Sequence, residues 1–277
     1  MNPRADLHVH STASDGQCTP EELVAMARTL GLCAIAITDH ETTLGAWPAI
    51  RAATGTGVVV VPGVEISTES SQGEIHILGY FVEPNGQGME ERLAELRDAR
   101  VGRARRMLAK LAALGMPLSW ERVRELAAGD SIGRPHIARA MVERGYVSSI
   151  EEAFALYIGS QGPAYVDRLR VPPTDAISLI RGAHGVPVFA HPLQATAILP
   201  SLVDAGLQGL EVYYPGYSPE EVHFLEDLAD RYGLVRTGGS DYHGPRIAGG
   251  TLGEATAPFA AVAELRARKS ADGKDRE

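Results

Sequence analysis

Short apolar segments alternate with helix-start signals along the first part of the chain, and this alternation constrains the fold more than any other feature. The apolar runs cover residues 5–9, 33–38 and 58–66, and helical patterns cover residues 21–30 and 44–54 between them. Continuous apolar runs are typical of parallel strands that are buried on both faces. The β-α-β-α-β order therefore predicts an α/β fold with a parallel sheet or barrel.

The middle of the chain departs from this alternation. Residues 75–81 are predicted to form a strand of a hairpin, whereas residues 90–165 contain only helical patterns, and strand–helix alternation returns after them. We therefore expect a barrel built from residues 1–89 and 166–268, with residues 90–165 as an all-helical insert, or cap. Residues 269–277 are short and charged, and we expect a disordered tail there.

Composition excludes several classes of protein. Two cysteines in 277 residues exclude a disulfide framework, and no apolar run is long enough to span a membrane. The first residues lack the basic and apolar regions of a signal peptide, so we expect a cytoplasmic protein. The net charge of −9 argues against binding to duplex DNA, but it permits an anionic substrate held by a few local cations. No pattern indicates an oligomeric state.

Histidines and acidic residues follow the predicted strands. His8 and His10 end the first strand, and residues two apart in an extended chain face the same side, so both can bind one metal ion. The other candidates come after later strands or lie in the loops and hairpin beside them: Asp15, His40, Glu65, His76, His191, Asp241 and His243. The C-terminal ends of barrel strands open on one face, where barrel enzymes keep their active sites, so we expect all nine side chains to converge.

Nine ligands exceed the needs of one metal ion. Two or three ions, with a carboxylate such as Glu65 shared between them, accommodate the set better. Mixed imidazole and carboxylate ligation suits Zn, Mn or Fe. A single His-x-His pair would more often be an ordinary core or surface feature. The repetition of histidines and acids at six strand ends or loops favours a multimetal centre instead.

The same residues carry a resemblance that covers nearly the whole chain. The matching segments are DLHVH at 6–10, DG at 15–16, TDH at 38–40, PGVE at 62–65 with His76, AHP at 190–192 and GSDYH at 239–243. With these segments the chain resembles the PHP (polymerase and histidinol phosphatase) family. The resemblance implies a distorted seven-stranded (β/α) barrel and three divalent metal ions per chain, of Mn, Fe or Zn.

The resemblance also implies how the ligands divide among the three ions. One site would use His8, His10, Glu65 and Asp241. A second would use Glu65, His76 and His191, with Glu65 bridging, and a third would use Asp15, His40 and His243. The spacing of the residues alone does not assign these groups.

A motif in the predicted cap narrows the resemblance to one subgroup. Residues 131–139, SIGRPHIAR, are similar to the signature of small bacterial PHP phosphoesterases that act on nucleotides. In that subgroup the residues that match Arg134 and His136 hold a substrate phosphate. Arg134 precedes a predicted helix N-terminus, where amide groups favour anions, and a guanidinium can bind phosphate through two hydrogen bonds. The alternative is that Arg134 is a surface charge and His136 a helix-surface residue.

These observations indicate a metal-dependent phosphoesterase that attacks a small phosphorylated substrate with metal-activated hydroxide. The resemblance implies a nucleotide substrate, either the 3′-phosphate of a nucleoside 3′,5′-bisphosphate such as pAp, or a 5′-nucleotide. Stepwise 5′→3′ trimming of short 5′-phosphorylated RNA and hydrolysis of histidinol phosphate are alternatives. We expect Asp15 and His243 to be essential for turnover, and either His191 or a metal-bound water to protonate the leaving oxygen.

The alternative from a different functional class is a noncatalytic metal-bearing module, and the complete ligand set argues against it.

Several further residues have weaker signals. The basic helix could follow an RNA backbone, but a solvated face is favoured for its members: Arg97, Arg100, Arg103, Arg105, Arg106 and Lys110. Cys18 is expected to be a structural thiol, and His184 and His223 surface residues. Asp6 and Asp39 either orient ligand imidazoles or have a structural role.

Overall fold

A computed structural model of the protein describes residues 3–83, 88–127, 132–167, 169–245 and 250–274. Within these ranges eight strands form one sheet: β1 (Arg4–Val9), β2 (Ala34–Ile37), β3 (Val59–Ser70), β4 (Gly73–Tyr80), β5 (Val186–Phe189), β6 (Gly209–Tyr213), β7 (Val235–Gly238) and β8 (Ala257–Pro258). Their order across the sheet is β7-β6-β5-β4-β3-β2-β1-β8. Every residue of β2 and β5 is buried, as continuous apolar runs predict.

The two ends of the sheet approach each other, which gives a nearly closed barrel. Val9, at the end of β1, forms a parallel bridge with Tyr242, which follows β7. Gly239 allows this approach, because a β-carbon at this position would lie 2.3 Å from the backbone nitrogen of His8. The predicted α/β barrel is therefore confirmed, and the two-residue β8 is an additional strand that pairs with β1.

The hairpin of β3 and β4 distorts the barrel. β4 pairs antiparallel with both β3 and β5, whereas β1, β2 and β3 pair in parallel, as do β5, β6 and β7. Across the hairpin, Glu65 is opposite Leu78 and Ser67 is opposite His76. Residues two apart on a strand share a face, so Glu65 and His76 lie on the same face as diagonal neighbours.

Ten α-helices are present in the described ranges: α1 (Pro20–Thr29), α2 (Ala46–Ala53), α3 (Met89–Ala113), α4 (Trp120–Ala127), α5 (Arg134–Glu143), α6 (Ile150–Ala153), α7 (Pro173–Gly182), α8 (Leu199–Asp204), α9 (Pro219–Tyr232) and α10 (Ala260–Lys274). A π-helical turn, Phe154–Ile158, continues α6. The two hydroxyl-Pro-Glu-Glu helix starts are confirmed. Thr19 and Ser218 each form a capping box with the glutamate three residues later.

Helices α3 to α6 pack around an apolar cluster of their own. Its members include Met107, Leu111, Val123, Ile137 and Met141, all of which are fully or almost fully buried. The barrel helices bury their apolar faces against the sheet, and Leu93 and Leu96 from the first part of α3 belong to that barrel cluster. This separation of the cores agrees with an all-helical cap, whose sequence boundaries stay a prediction.

The end of the chain differs from the expectation. Helix α10 runs to Lys274, so residues 269–274, which we predicted to be part of a disordered tail, continue a helix. Residues 275–277 lie outside the described ranges. None of the helices in the described part of the chain is both long and apolar enough to cross a membrane.

Candidate metal centre

The nine predicted ligand side chains come together at one end of the barrel. Each lies near the end of a strand, in the loop that follows it, or in the β3–β4 hairpin: His8, His10, Asp15, His40, Glu65, His76, His191, Asp241 and His243. The imidazole rings are close neighbours. The centroid of the His10 ring lies 4.0 Å from that of His243 and 4.7 Å from that of His40. Residues spread over most of the chain therefore surround one small volume.

The ligand atoms form three groups, and within each group all atoms lie within 4.8 Å of one another. The groups are His8, His10, Glu65 and Asp241, then Glu65, His76 and His191, and then His10, Asp15, His40 and His243. These are the groups that the family resemblance implies, except that His10 also joins the third. Their role as metal ligands stays a prediction.

Several buried atoms in these groups have no hydrogen-bond partner. They are His8 Nε2, both ring nitrogens of His10, His40 Nδ1 and Glu65 Oε2. Glu65 Oε2 lies 3.5 Å from His8 Nε2, 3.2 Å from His10 Nε2 and 3.2 Å from His40 Nδ1. A buried polar atom left without a partner costs about 1–3 kcal/mol, so such a cluster needs a compensating ligand. Imidazole nitrogens and carboxylate oxygens that converge in this way fit divalent metal ions.

The carboxylates of the cluster are held in their charged form. Burial disfavours the charge, but the neighbouring imidazoles outweigh it and keep the pKa of Asp15, Glu65 and Asp241 well below the usual range. Burial also lowers the pKa of His40, to about 3. For His243 the effect of burial is outweighed by Asp15 and Asp241, which raise its pKa to about 10. The three carboxylates are therefore ionised, which is the form in which they bind cations.

Two other buried carboxylates hold backbone loops. Asp39 accepts hydrogen bonds from the Ser11 N–H, the Ser11 hydroxyl and the Ser14 hydroxyl, each at 2.7 Å. Asp6 accepts from the Ser240 N–H at 2.9 Å and from the Ser240 hydroxyl at 2.6 Å. These bonds fix the loops that carry Asp15 and Asp241. The structural role that we considered for Asp6 and Asp39 therefore agrees with these contacts.

Our reasoning from the sequence missed Glu211, which is fully buried in β6. Glu211 Oε1 accepts a hydrogen bond from His8 Nδ1 at 3.0 Å, and Oε2 accepts from the backbone N–H of His191 at 2.7 Å. The signal was a charged residue inside the strand pattern at residues 209–213. This signal does not identify a role, because a single charged residue within a strand does not indicate which side chains face it.

Three residues in or directly beside the ligand cluster have left-handed backbone conformations. These are Glu41, which follows His40, with φ 47°, His191 with φ 31° and Asp241 with φ 50°. This conformation costs a non-glycine residue roughly 1–2 kcal/mol. Strain of this kind is found mostly at functional sites, where the surrounding structure holds it in place.

A cavity of about 210 Å³ lies between the ligand cluster and the cap. Its barrel side includes the ligands Asp15, His40, Glu65, His76, Asp241 and His243. On the cap side are Arg100, Arg134 and Phe154. Arg134 is the first residue of α5, and its guanidinium donates to Glu74 Oε2 at 3.1 Å and lies 5.4 Å from the centroid of the Phe154 ring. The cavity is therefore lined both by predicted metal ligands and by three arginines, Arg100, Arg103 and Arg134.

The basic face of α3 is more buried than expected. Arg100 Nε lies 2.6 Å from Glu41 Oε2, and Arg100 Nη2 donates to the Ser67 hydroxyl at 2.8 Å. Arg97 donates to the Glu41 carbonyl, and Arg103 is 6% exposed. The prediction of a solvated face is therefore wrong for these three arginines. Arg97 and Arg100 bind the buried Glu41, whereas Arg103 donates to the Val166 carbonyl at 2.7 Å. Arg105, Arg106 and Lys110 are exposed.

His136 occupies a different position from the one that we expected. It is 1% exposed, its Nδ1 accepts the Gly133 N–H at the start of α5 at 3.0 Å, and it is not among the described residues that line the cavity. Burial lowers its pKa to about 4. The alternative of a helix-surface residue is wrong, and a role in binding substrate stays a prediction. Ser131, which begins the motif, lies outside the described residues.

The remaining candidates lie outside the cluster. Cys18 Sγ lies 3.7 Å from the Tyr242 hydroxyl, which agrees with a structural thiol. His184 and His223 are exposed, as expected, although His184 lies in the turn after α7 and not within a helix.

Comparison with known proteins identifies the family. The model of the PHP domain matches residues 6–128. A 3′,5′-nucleoside bisphosphate phosphatase from Chromobacterium violaceum is 34% identical over 90% of this chain and 90% of its own length. The 5′-3′ exoribonuclease Rnm of Salmonella typhimurium is 35% identical over 87% of this chain and 85% of its own length. A solved structure from Bifidobacterium adolescentis, described as that of a metal-dependent phosphoesterase, has a TM-score of 0.87 and 33% identity and covers 95% of this chain and 96% of its own. The chain therefore belongs to the PHP family of metal-dependent phosphoesterases.

Proposed function

We propose that this metal-dependent phosphoesterase hydrolyses nucleotides, and that it removes the 3′-phosphate of a nucleoside 3′,5′-bisphosphate such as pAp or the phosphate of a 5′-nucleotide. The observation that carries this proposal is the cavity, which places Arg100 and Arg134 on the side opposite the ligand cluster. A substrate with two phosphates matches such a site, because one phosphate can meet the metal ions while the other meets a guanidinium.

We further propose three ions, of Mn, Fe or Zn, held by the three ligand groups. When bound, such ions stabilise charge on phosphoryl oxygens and make hydroxide available near neutral pH. Asp15 and His243 belong to the third ligand group and would bind its ion, so both are expected to be essential for turnover. His191 is the most exposed of the nine side chains, at 26%, and this position suits donation of a proton to the leaving oxygen. A water molecule is the alternative donor.

The cap side of the cavity suits the rest of a nucleotide. Arg134 has the charge and the hydrogen-bond donors that anchor a phosphate. Phe154, beside it, offers an aromatic face on which a nucleobase can stack. Met107, Ile132 and Ile137 extend this apolar wall. Histidinol phosphate has a smaller imidazole group and one phosphate, so it offers no second anionic group to Arg134.

Trimming of short 5′-phosphorylated RNA in the 5′→3′ direction is the second candidate, and it is favoured by the similarity to the exoribonuclease from Salmonella typhimurium. In this reaction Arg134 would hold the 5′-phosphate while the next linkage is cut. The same groups therefore serve both substrates. The complete ligand set argues against a noncatalytic module.

The test is a comparison of substrates with the Mn²⁺-loaded protein. Phosphate release is measured from pAp, AMP and histidinol phosphate, and nucleotide release from a 5′-phosphorylated trinucleotide. We expect turnover of at least one of the nucleotide substrates and its loss in Asp15→Asn and His243→Ala variants. Turnover of histidinol phosphate alone would reject the nucleotide assignment, and equal turnover by both variants would reject the catalytic site.

A further inference from the structure

We propose that Glu211 is a positioning residue that orients ligands of two metal ions at once, His8 in the first group and His191 in the second. This inference rests on the metal-binding part of the proposed function and does not depend on the substrate. Glu211 is fully buried at the centre of β6, and its two carboxylate oxygens are divided between the two ligands.

The contact with His8 selects one tautomer of the ring. Glu211 Oε1 lies 3.0 Å from His8 Nδ1, a distance at which the carboxylate oxygen can accept a hydrogen bond from a protonated Nδ1. In the tautomer with the proton on Nδ1, Nε2 carries the lone pair that a metal ion needs. This nitrogen lies 3.3 Å from Asp241 Oδ1 and 3.5 Å from Glu65 Oε2, and it has no hydrogen-bond partner. Glu211 therefore aims the free nitrogen of His8 at the other members of the first group.

The contact with His191 acts through the backbone. His191 has φ 31° and ψ 57°, a conformation that few non-glycine residues adopt. Glu211 Oε2 accepts the N–H of this residue at 2.7 Å. The bond holds the strained residue at the end of β5, where its ring lies 5.0 Å from that of His76, another member of the second group.

The two contacts couple the first and second groups through one side chain. Among the hydrogen bonds of Glu211 that the structure describes, none reaches the side chains of the third group, Asp15, His40 and His243. A change at position 211 should therefore weaken two ion sites and spare the third. A glutamate that served only to fill the strand would show no such selectivity.

The test uses Glu211→Gln, whose amide oxygen can accept from only one of the two donors. Binding of Mn²⁺ is measured by equilibrium dialysis, together with the melting temperature of the metal-free protein. We expect dissociation constants about 10- to 100-fold higher at two sites and an unchanged third site. Glu226→Gln is the matched control, since Glu226 also accepts two hydrogen bonds, from Tyr213 and Arg236, but contacts none of the ligands. Its binding curve should equal that of the unaltered protein.

Two results would overturn the proposal. One is an unchanged Mn²⁺ binding curve in Glu211→Gln, and the other is an equal weakening of all sites with a lower melting temperature of the metal-free protein, which indicates a general structural role. If this variant does not fold, the unaltered protein loaded with Zn²⁺ decides the question. Its ¹⁵N spectrum should show His8 with a protonated Nδ1 and a metal-bound Nε2, and the opposite tautomer would contradict the proposal.

Discussion

His10 shows how a barrel brings ligands from distant parts of the chain close together. His10 has two ring nitrogens, and each faces a different group. Nε2 lies 3.2 Å from both Glu65 and Asp241, and Nδ1 lies 3.8 Å from Asp15. Position 10 should therefore tolerate substitution poorly, because a side chain without both ring nitrogens leaves at least one of the two groups without a ligand atom.

Arg134 is the residue on which the substrate assignment depends most. We expect Arg134→Ala to lower kcat/KM for pAp by about 10- to 100-fold, since it removes a charge-assisted contact with the second phosphate. Steady-state kinetics with pAp measure this effect. Arg144→Ala, at the other end of α5, is the control, because Arg144 lies against the Tyr146 ring away from the cavity. An unchanged kcat/KM on every phosphoester would show that the cap does not bind phosphate at Arg134.

His136 should make the stability of the metal-free protein depend on pH. Burial lowers its pKa from 6.5 to about 4 in the folded state, and the charges of Asp15, Arg139, Arg100 and His243 act on it. Between pH 6.5 and pH 4, His136 therefore binds a proton more readily in the unfolded chain than in the folded protein. Stability is therefore fully present above pH 6.5 and is lost as the pH falls towards 4, by roughly 3 kcal/mol.

The comparison with His136→Gln isolates this effect, because glutamine can still accept the Gly133 N–H but does not titrate. Urea unfolding at pH 7 and pH 4.5 measures both proteins. The unaltered protein should lose more stability than the variant over this interval. Equal losses would contradict the assignment of a buried, neutral His136.

At the scale of elements, the strand ends were predictable and the contacts between barrel and cap were not. Continuous apolar runs marked β2 and β5 because both faces of these strands are buried. The histidines and acids just after them stood out for the same reason. The antiparallel pairing of β4 with β5 has no local sequence signal, since it depends on how the hairpin turns back across the sheet.

The ion pair between Glu41 and Arg100 links the cap helix α3 to the loop after β2. Both side chains are largely buried, at 3% and 16% exposed. We expect Glu41→Gln to lower the free energy of unfolding by about 3 kcal/mol, because it leaves the Arg100 charge buried without its partner. Urea unfolding measures the change.

Two further variants make this prediction specific. Glu95→Gln breaks a pair on the same helix, with Arg92, whose members are 63% and 42% exposed, so it should have little effect. Glu41→Gln combined with Arg100→Gln should recover part of the loss, since no charge then stays unpaired. A single Glu41→Gln variant as stable as the unaltered protein would show that the pair does not hold the cap to the barrel.

Over the whole molecule, the barrel supplies the ligands and the cap closes the cavity. The sequence allowed prediction of the barrel and of all nine side chains that converge, because each follows a recognisable strand or lies in the hairpin. It did not allow prediction of the inward-facing Arg97, Arg100 and Arg103, since charged residues on a helix are usually solvated. Glu211 was missed because its function depends on which side chains face it across the barrel.

Removal of metal should destabilise the whole molecule. Ions that bind only the folded protein stabilise it by about 2.7 kcal/mol at a free concentration one hundred times their dissociation constant. We expect the melting temperature to fall after dialysis against a chelator and to recover with Mn²⁺. Calorimetry measures both steps. A melting temperature that is the same with and without metal would contradict a metal centre inside the barrel.

Anomalous diffraction from crystals of the Mn²⁺-loaded protein tests the central claim most directly. The account predicts three peaks, each within coordination distance of one ligand group, with the Glu65 carboxylate between the first and the second. Peaks only at the surface of the protein, or a ligand cluster without any peak at saturating Mn²⁺, would contradict it.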